Sequence, residues 1–220
     1  MPMIFLNASE RKENLGMKVW EKSLCLAFAL TVLFSFAGFA AGCEDIPNHI
    51  LRLHVLANSD SREDQALKLK VRDRILAESA GMLDGVKTRE EAERAVAENL
   101  PRLQKAAEDE VRKQGASCPV RAELANLYFT SRRYGDVTLP AGRYDALQVT
   151  LGTGKGHNWW CVLFPALCLP AAEAPAELQD VLDRGEMEIV EGKDGEGYIL
   201  KFKSVELYQQ FRGWLQQRFG

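Results

Sequence analysis

The sequence has few of the residues that build metal and nucleic-acid sites. Only three of its 220 residues are histidine, and only five are cysteine. It has no CxxC pair and no cysteine–histidine spacing typical of zinc sites. The formal net charge is −3, whereas nucleic-acid-binding proteins carry a strong basic excess. We therefore expect no metal, no cofactor and no nucleic-acid partner.

Catalytic signatures are also missing. There is no GxSxG or HExxH motif, and the glycine-rich stretch at 152–156 lacks the Gly-Lys-Ser/Thr ending of a phosphate loop. Asp60 and Asp64 are close in sequence, but both fit the start of a helix. Asp60 is predicted to be the N-cap, with Glu63 three residues later, and Asp64 lies in the first turn.

The N-terminus carries a long apolar run. Lys18 and Lys22 precede uncharged residues up to position 42, a pattern typical of a secretory signal. The run is also long enough for a membrane anchor, which needs about 20 residues. The small residues before Cys43 resemble a lipidation site, so a cleaved, an anchored and a lipidated N-terminus all stay open. A ribosome-binding sequence can be encoded just upstream of Met17, and we expect translation to start there.

The middle of the chain predicts a strand, two helices and then three strands. Residues 50–56 alternate, so Arg52 and His54 are expected on a solvent-facing side of a half-buried strand. Thr88 predicts a second helix start, and Pro101 should kink or split that helix. A slip in the alternation of the next strand predicts a bulge near Asn126. This order indicates an α+β fold of two layers, with helices packed on a mostly antiparallel sheet.

The C-terminal part predicts a linker at 171–176, a β-hairpin around residues 192–195 and a final amphipathic helix. We expect the apolar face of that helix to pack on the domain, with docking to a partner or membrane as the alternative. The predicted domains are residues 1–43, 44–170 and 171–220. The helix face consists of Leu207, Tyr208, Phe211, Trp214 and Leu215.

The stretch NWWCVLFP at 158–165 reads as a strand that is apolar on both faces. Trp159, Cys161 and Leu163 are expected on one face, and the opposite face takes the alternate residues, ending at Phe164. Cys161 can form a disulfide with Cys168, or both can be buried free thiols.

Two blocks of sequence resemble stage II sporulation protein R of endospore-forming bacteria. The first reads RLHVLANSDS at 52–61 and continues with DQALK at 64–68 and VRD at 71–73. The second reads Tyr134-Gly135, LPAGRY at 139–144, NWWCVLFP at 158–165 and Leu167-Cys168. Their order and spacing over residues 50–168 match the family, except that Ala166 replaces a proline common at that position.

The resemblance implies a signalling protein and not an enzyme. Members of the family are exported from the forespore into the space between forespore and mother cell. There they trigger a membrane-embedded aspartic protease, which removes the inhibitory segment of pro-sigma-E. Tryptophan and arginine are enriched at binding hot spots. The candidate partner-binding residues are Arg52, His54, Asn58, Asp60, Asn158, Trp159 and Trp160.

The alternative is an extracytoplasmic enzyme that acts on the cell wall or on thiols. It would use Cys161 as its reactive group, although no activating base lies nearby in the sequence.

Overall fold

The computed structural model describes residues 19–134, 137–166, 178–192 and 195–219. The chain forms two compact units, residues 1–38 and 39–220, and the division falls inside helix α1 (Val19–Asp45). Within the described ranges, one stretch, Val19–His49, is long and apolar enough to cross a membrane, a test that a signal sequence also passes. The predicted apolar N-terminal segment is therefore a helix. Met17 lies outside the described residues.

A short 3-10 turn (Ile46–His49) follows α1 within the second unit. The helices that follow are α2 (Arg62–Met82), α3 (Arg89–Glu98), α4 (Leu100–Lys113), α5 (Arg184–Glu191) and α6 (Gly195–Phe219). The strands are β1 (Leu51–Leu56), β2 (Val120–Phe129), β3 (Arg132–Tyr134), β4 (Val137–Leu139), β5 (Gly142–Leu151) and β6 (Asn158–Phe164).

Four strands form one sheet in the order β2-β5-β1-β6, and β3 and β4 form a separate hairpin. Strand β1 pairs in parallel with β5 and antiparallel with β6, while β2 pairs antiparallel with β5. The α+β fold class with a mostly antiparallel sheet is therefore confirmed. Strand β6, which carries the two adjacent tryptophans, is an edge strand.

The helix boundaries follow local capping chemistry. Thr88 is the N-cap of α3, as predicted, and its side chain accepts a hydrogen bond from the Glu91 amide. The predicted second helix splits at Asn99, two residues before Pro101, because proline is tolerated in the first turn of a new helix. The N-cap prediction for Asp60 is wrong: Ser61 caps α2 by accepting from the Asp64 amide.

Strand β2 runs without the predicted bulge at Asn126. Its residues pair one to one with β5 from Val120 to Phe129. The alternation of apolar residues changes register along β2 because its two ends bury opposite faces. The first part of the strand packs under the helices, and the last part packs on the other side of the sheet. The observed irregularity lies between β1 and β6, where Leu51 pairs with Phe164 and Arg52 pairs with Val162.

Two cores cover the two sides of the sheet. The helix-side core joins Leu51, Leu53 and Val55 of β1 to apolar residues of α2, α3 and α4. The second core, called here the aromatic-side core, lies on the other side. Phe164 belongs to the helix-side core, so its expected position beside Trp160 is wrong, and the irregular pairing accounts for the change. The aromatic-side core contains Ile46, Ile50, Phe129, Val137, Leu139, Tyr144, Ala146, Val162, Leu178, Leu182, Met187 and Val190.

The C-terminal hairpin prediction is wrong, because both of its segments are helical. Asp183 and Glu186 form a capping box that starts α5, and Met187 and Val190 are buried one turn apart. The predicted linker at 171–176 lies outside the described residues.

The final helix exists as predicted, but its apolar face does not pack on the domain. Phe202 and Val205 of α6 are buried, whereas Leu207, Tyr208, Phe211 and Trp214 are exposed and Leu215 is half-buried.

Candidate functional site

Arg52 is fully buried in strand β1, between the sheet and the β3–β4 hairpin. Its Nε donates to the carbonyl of Cys161 (3.1 Å) and its Nη2 donates to the hydroxyl of Tyr134 (2.7 Å). The guanidinium lies 4.3 Å from the ring centre of Phe129 and 4.9 Å from that of Tyr144. Aromatic faces attract a cation, so ring faces and oxygen acceptors surround this charge. Burial lowers the pKa of Arg52.

His54 lies two residues further along the same face and is also buried. Its ring stacks on Trp160, with centroids 3.9 Å apart and planes 11° apart, and meets Phe129 edge-on. Neither ring nitrogen has a hydrogen-bond partner within the described part of the chain. Burial lowers the pKa of His54 to about 4, and the proximity of Gln148 raises this pKa by a smaller amount. His54 is therefore a neutral core residue, and the expectation that it faces solvent is wrong.

These side chains form one group, called here the aromatic cluster. It consists of Arg52, His54, Phe129, Tyr134, Tyr144 and Trp160. Tyr134 connects its parts, because its hydroxyl accepts from Arg52 and donates to the carbonyl of Trp160 (3.4 Å). The cluster fixes the position of Trp160, whose ring is half-buried and lies 6.0 Å from the guanidinium of Arg132.

A second group lies where β1 ends and is called here the loop network. It joins the 57–61 loop to the 152–157 loop. Asn58 Oδ1 accepts from the Thr153 amide (3.0 Å), and the Asn58 carbonyl accepts from the Thr153 hydroxyl (2.9 Å). A Cβ on Gly152 would lie 2.1 Å from Asn58 Oδ1, and one on Gly156 would lie 2.2 Å from the Ser59 carbonyl. The glycines therefore allow the two loops to touch.

Asp60 and His157 connect the same two loops at the surface. Asp60 Oδ1 accepts from the His157 amide and contacts its Nδ1, both at 2.6 Å. The side-chain hydrogen bond from His157 lowers the pKa of Asp60. Beneath them, Lys68 donates to the His157 carbonyl (2.8 Å) and to Gln65 Oε1 (2.6 Å).

Asp60 and Asp64 are hydrogen-bonded to different partners. Asp64 accepts from Asn58 (3.0 Å) and from the Ser59 hydroxyl (2.5 Å), and these bonds lower its pKa. The Ser59 hydroxyl and the His157 imidazole are thus bonded to different carboxylates, an arrangement unlike a Ser–His–Asp triad. The described residues contain no group of three or more side chains able to hold a metal. The loop network fixes a surface, and both acids are already hydrogen-bonded.

The two tryptophans lie on opposite sides of the sheet edge. Trp159 packs against the helix-side core, and the guanidinium of Arg72 on α2 lies 4.2 Å from its ring centre. Trp160 belongs to the aromatic cluster and lies near Arg132 on β3. Both rings are half-buried and Asn158 is exposed. These five residues, Arg72, Arg132, Asn158, Trp159 and Trp160, are called here the edge patch.

Two sequence predictions about cysteines concern residues near this site or at the end of α1. Cys161 is disulfide-bonded, but Cys168 lies outside the described residues, so their pairing stays a prediction. Cys43 is a buried free cysteine at the end of α1, and its lipidation also stays a prediction.

The sequence model of the family described as stage II sporulation protein R matches residues 47–174 of this chain. That range is more than half of the chain and contains every residue of the aromatic cluster, the loop network and the edge patch. The chain belongs to the stage II sporulation protein R family.

A curated relative supports the same assignment. Stage II sporulation protein R of Bacillus subtilis (strain 168) is 41% identical over 123 residues, which are 56% of this chain and 55% of the relative. The chain thus spans about half the length of the curated relative it matches. No solved structure matches the chain. Helix α6 lies outside the range that defines the family.

The family range includes site residues that the sequence alone does not single out. Arg72, Tyr134 and Tyr144 lie inside the two family blocks without a predicted role, and Phe129 lies outside both blocks. Two features could have indicated them: an arginine in a strand otherwise rich in apolar residues needs aromatic or polar cover, and Tyr134-Gly135 opens the second family block.

Proposed function

We propose that this protein is an exported sporulation signal that activates a membrane-embedded aspartic protease, which in turn processes pro-sigma-E. Family membership connects the chain to sporulation. The apolar N-terminal helix is compatible with export or with membrane attachment. The signal would act in the space between forespore and mother cell.

The observation that carries the proposal is the edge patch. Two half-buried tryptophans at a sheet edge are each accompanied by an arginine, Arg72 at 4.2 Å and Arg132 at 6.0 Å. Tryptophan and arginine are the residues most often found at binding hot spots. The aromatic cluster and the loop network hold this patch in place, so little conformational entropy is lost on binding.

A binding event is sufficient for activation. A ligand shifts a two-state protein towards the state that it binds more tightly, so a signal that prefers the active protease needs no chemistry of its own. Asp60 borders the edge patch through His157, and Asn58 lies in the same loop, whereas Arg52 and His54 support the patch from the interior. In this proposal the first pair contacts the protease and the second pair positions Trp160.

The test is processing of pro-sigma-E in a non-sporulating host that expresses the protease, pro-sigma-E and this chain. We expect processing with the native chain and a strong loss with Arg132→Glu or with Trp159→Ala. Arg132 is exposed and its substitution leaves the core intact, so this variant separates binding from folding. Lys70→Glu on the exposed side of α2 is the matched control.

Two results would contradict the proposal. One is normal processing in the absence of this chain. The other is full activity of both edge-patch variants, with secreted amounts equal to that of the native protein.

The enzyme alternative receives less support. Cys161 is buried and disulfide-bonded, so it offers no free thiolate as a nucleophile. Turnover of a wall fragment or a disulfide substrate by the purified protein, lost on Cys161→Ser, would restore that alternative.

A further inference from the structure

The outward face of helix α6 is an apolar stripe. Leu207, Phe211 and Trp214 are 69%, 56% and 55% exposed, and their i, i+4, i+7 spacing places them on one side of the helix. Tyr208 lies beside them and is also exposed, and the rings of Phe211 and Trp214 stack with centroids 6.1 Å apart. The opposite side of α6 buries Phe202 and Val205 in the second unit. The helix is therefore already packed through one face and presents a second apolar face to its surroundings.

The position of α6 suggests what lies against that face. The ring of Phe202 meets the ring of Phe39 at 5.4 Å, and Trp214 lines a groove together with Glu44 and Pro47. Residues 39–47 are the last part of the stretch that is long and apolar enough to span a membrane. Helix α6 thus runs beside the point where the chain would leave a bilayer.

The charge of this part of α6 fits a negatively charged surface. Residues 207–219 include Arg212 and Arg218 but no acidic residue, although the whole chain has a net charge of −3. Arg218 is exposed. Tryptophan and tyrosine favour the boundary between headgroups and acyl chains, helices that lie in this boundary bury Trp, Phe and Leu on their apolar face, and arginine is attracted to anionic lipids.

We propose that the outward face of α6 binds the surface of an anionic lipid bilayer, with Leu207, Phe211 and Trp214 at the headgroup boundary. This contact goes beyond the proposed signalling role and does not depend on the protease. It would hold the second unit against the membrane through a surface outside the range that defines the family.

The test places a photo-crosslinking phenylalanine analogue at position 211 of the full chain, reconstituted in vesicles of phosphatidylglycerol and phosphatidylcholine. The matched control carries the analogue at Lys70, an exposed position on α2. Helix α1 can hold both proteins on the vesicle, so binding to vesicles alone is not informative. The readout is the lipid adduct at the labelled position, identified by mass.

We expect lipid adducts at position 211 several-fold above those at position 70. They should fall in vesicles of phosphatidylcholine alone and at high salt, because screening weakens exposed electrostatic contacts. Arg218→Gln, which leaves the buried face of α6 unchanged, should lower the adduct at position 211 in the same way.

Two outcomes would overturn the proposal. One is an adduct between two copies of the chain in place of a lipid adduct, which would assign the stripe to self-association. The other is a lipid yield at position 211 that is no higher than at position 70.

Discussion

Strand β1 has two buried faces of different chemistry. On one face Leu51, Leu53 and Val55 pack under three helices in a core of apolar side chains. On the other face Arg52 and His54 are equally inaccessible, yet they are surrounded by aromatic rings and a few oxygen acceptors. The first face follows the ordinary rule for a core, since burying apolar surface stabilises the fold. The second buries groups whose charged forms are costly to remove from water.

The two faces of the six-residue strand β1 differ in what they contribute to the protein. The apolar face accounts for much of what holds the sheet to its helices. The other face positions Trp160 and Tyr134 and supports the edge patch. Proteins often retain a costly buried group where a site needs it, and on this basis we associate the aromatic face with function and the helix face with stability.

The largest effect is expected on the apolar face. Leu53→Ala should lower the free energy of unfolding by about 3–4 kcal/mol, because a buried leucine leaves a cavity that the helices fill only in part. Urea unfolding of the full chain in mild detergent measures the change, with Lys70→Ala as the control. A loss below about 1 kcal/mol, typical of a surface substitution, would contradict the assignment of this face to stability.

The next-largest effect is the pH dependence of folding stability that His54 causes. Its pKa is about 4 in the folded protein and 6.5 in the reference state, so the unfolded chain binds the proton more readily. The stability that depends on neutral His54 is complete above pH 6.5 and is lost as the pH falls from about 6.5 towards 4. The loss should reach at most about 3 kcal/mol.

The control for His54 is His54→Phe, which retains an aromatic ring beside Trp160. We expect its stability to change less between pH 7 and pH 5 than that of the native protein. Parallel pH profiles for the two proteins would show that His54 is not the group responsible.

A smaller effect is expected for Arg52→Met. The substitution loses two hydrogen bonds, each worth about 0.5–1.5 kcal/mol, but it also removes the cost of burying a charge. The free energy of unfolding should therefore fall by about 1–2 kcal/mol, less than for Leu53→Ala, while processing of pro-sigma-E falls. A destabilisation as large as that of Leu53→Ala would remove the distinction between the two faces.

The smallest expected effect is a change in the pKa of Asp60 in the loop network. His157→Ala should raise the pKa of Asp60 towards its ordinary value, because the side-chain hydrogen bond from His157 is the main cause of its lowering. The stabilisation that ionised Asp60 contributes is complete above its ordinary pKa and is lost as the pH falls from there through the lowered value. NMR titration of the carboxyl carbons measures the shift. Asp64 is the internal control, since Ser59 and Asn58 lower its pKa.

Sequence reasoning worked where the cause was local. The alternation in β1 placed Arg52 and His54 together on one face, the Thr88 cap marked the start of α3, and Pro101 marked the split between two helices. The burial of Arg52 was not predictable in this way. Its cover comes from Phe129, Tyr134 and Tyr144, which lie roughly 80–90 residues away and meet it only through the sheet and the hairpin.

The C-terminal error has a different cause. Residues 198–203 alternate over a short stretch, and a pattern of that length does not distinguish a strand from a helix. The capping box of Asp183 and Glu186, which starts α5, was the signal that favoured a helix. The loop network was also missed, because contact between Asn58 and Thr153 depends on the sheet register.

The central place of β1 in the sheet has a consequence for how the chain acquires its structure. Arg52 pairs with Ala146 and Leu51 pairs with Phe164, so β1 leaves the ribosome long before either neighbouring strand exists. At about 5–20 residues per second, the backbone hydrogen-bonding groups of β1 wait several seconds for their partners. A chain that stops before β5 would leave both edges of β1 unpaired and become a substrate for proteases and chaperones. The fold thus completes only in chains that are synthesised through the two tryptophans.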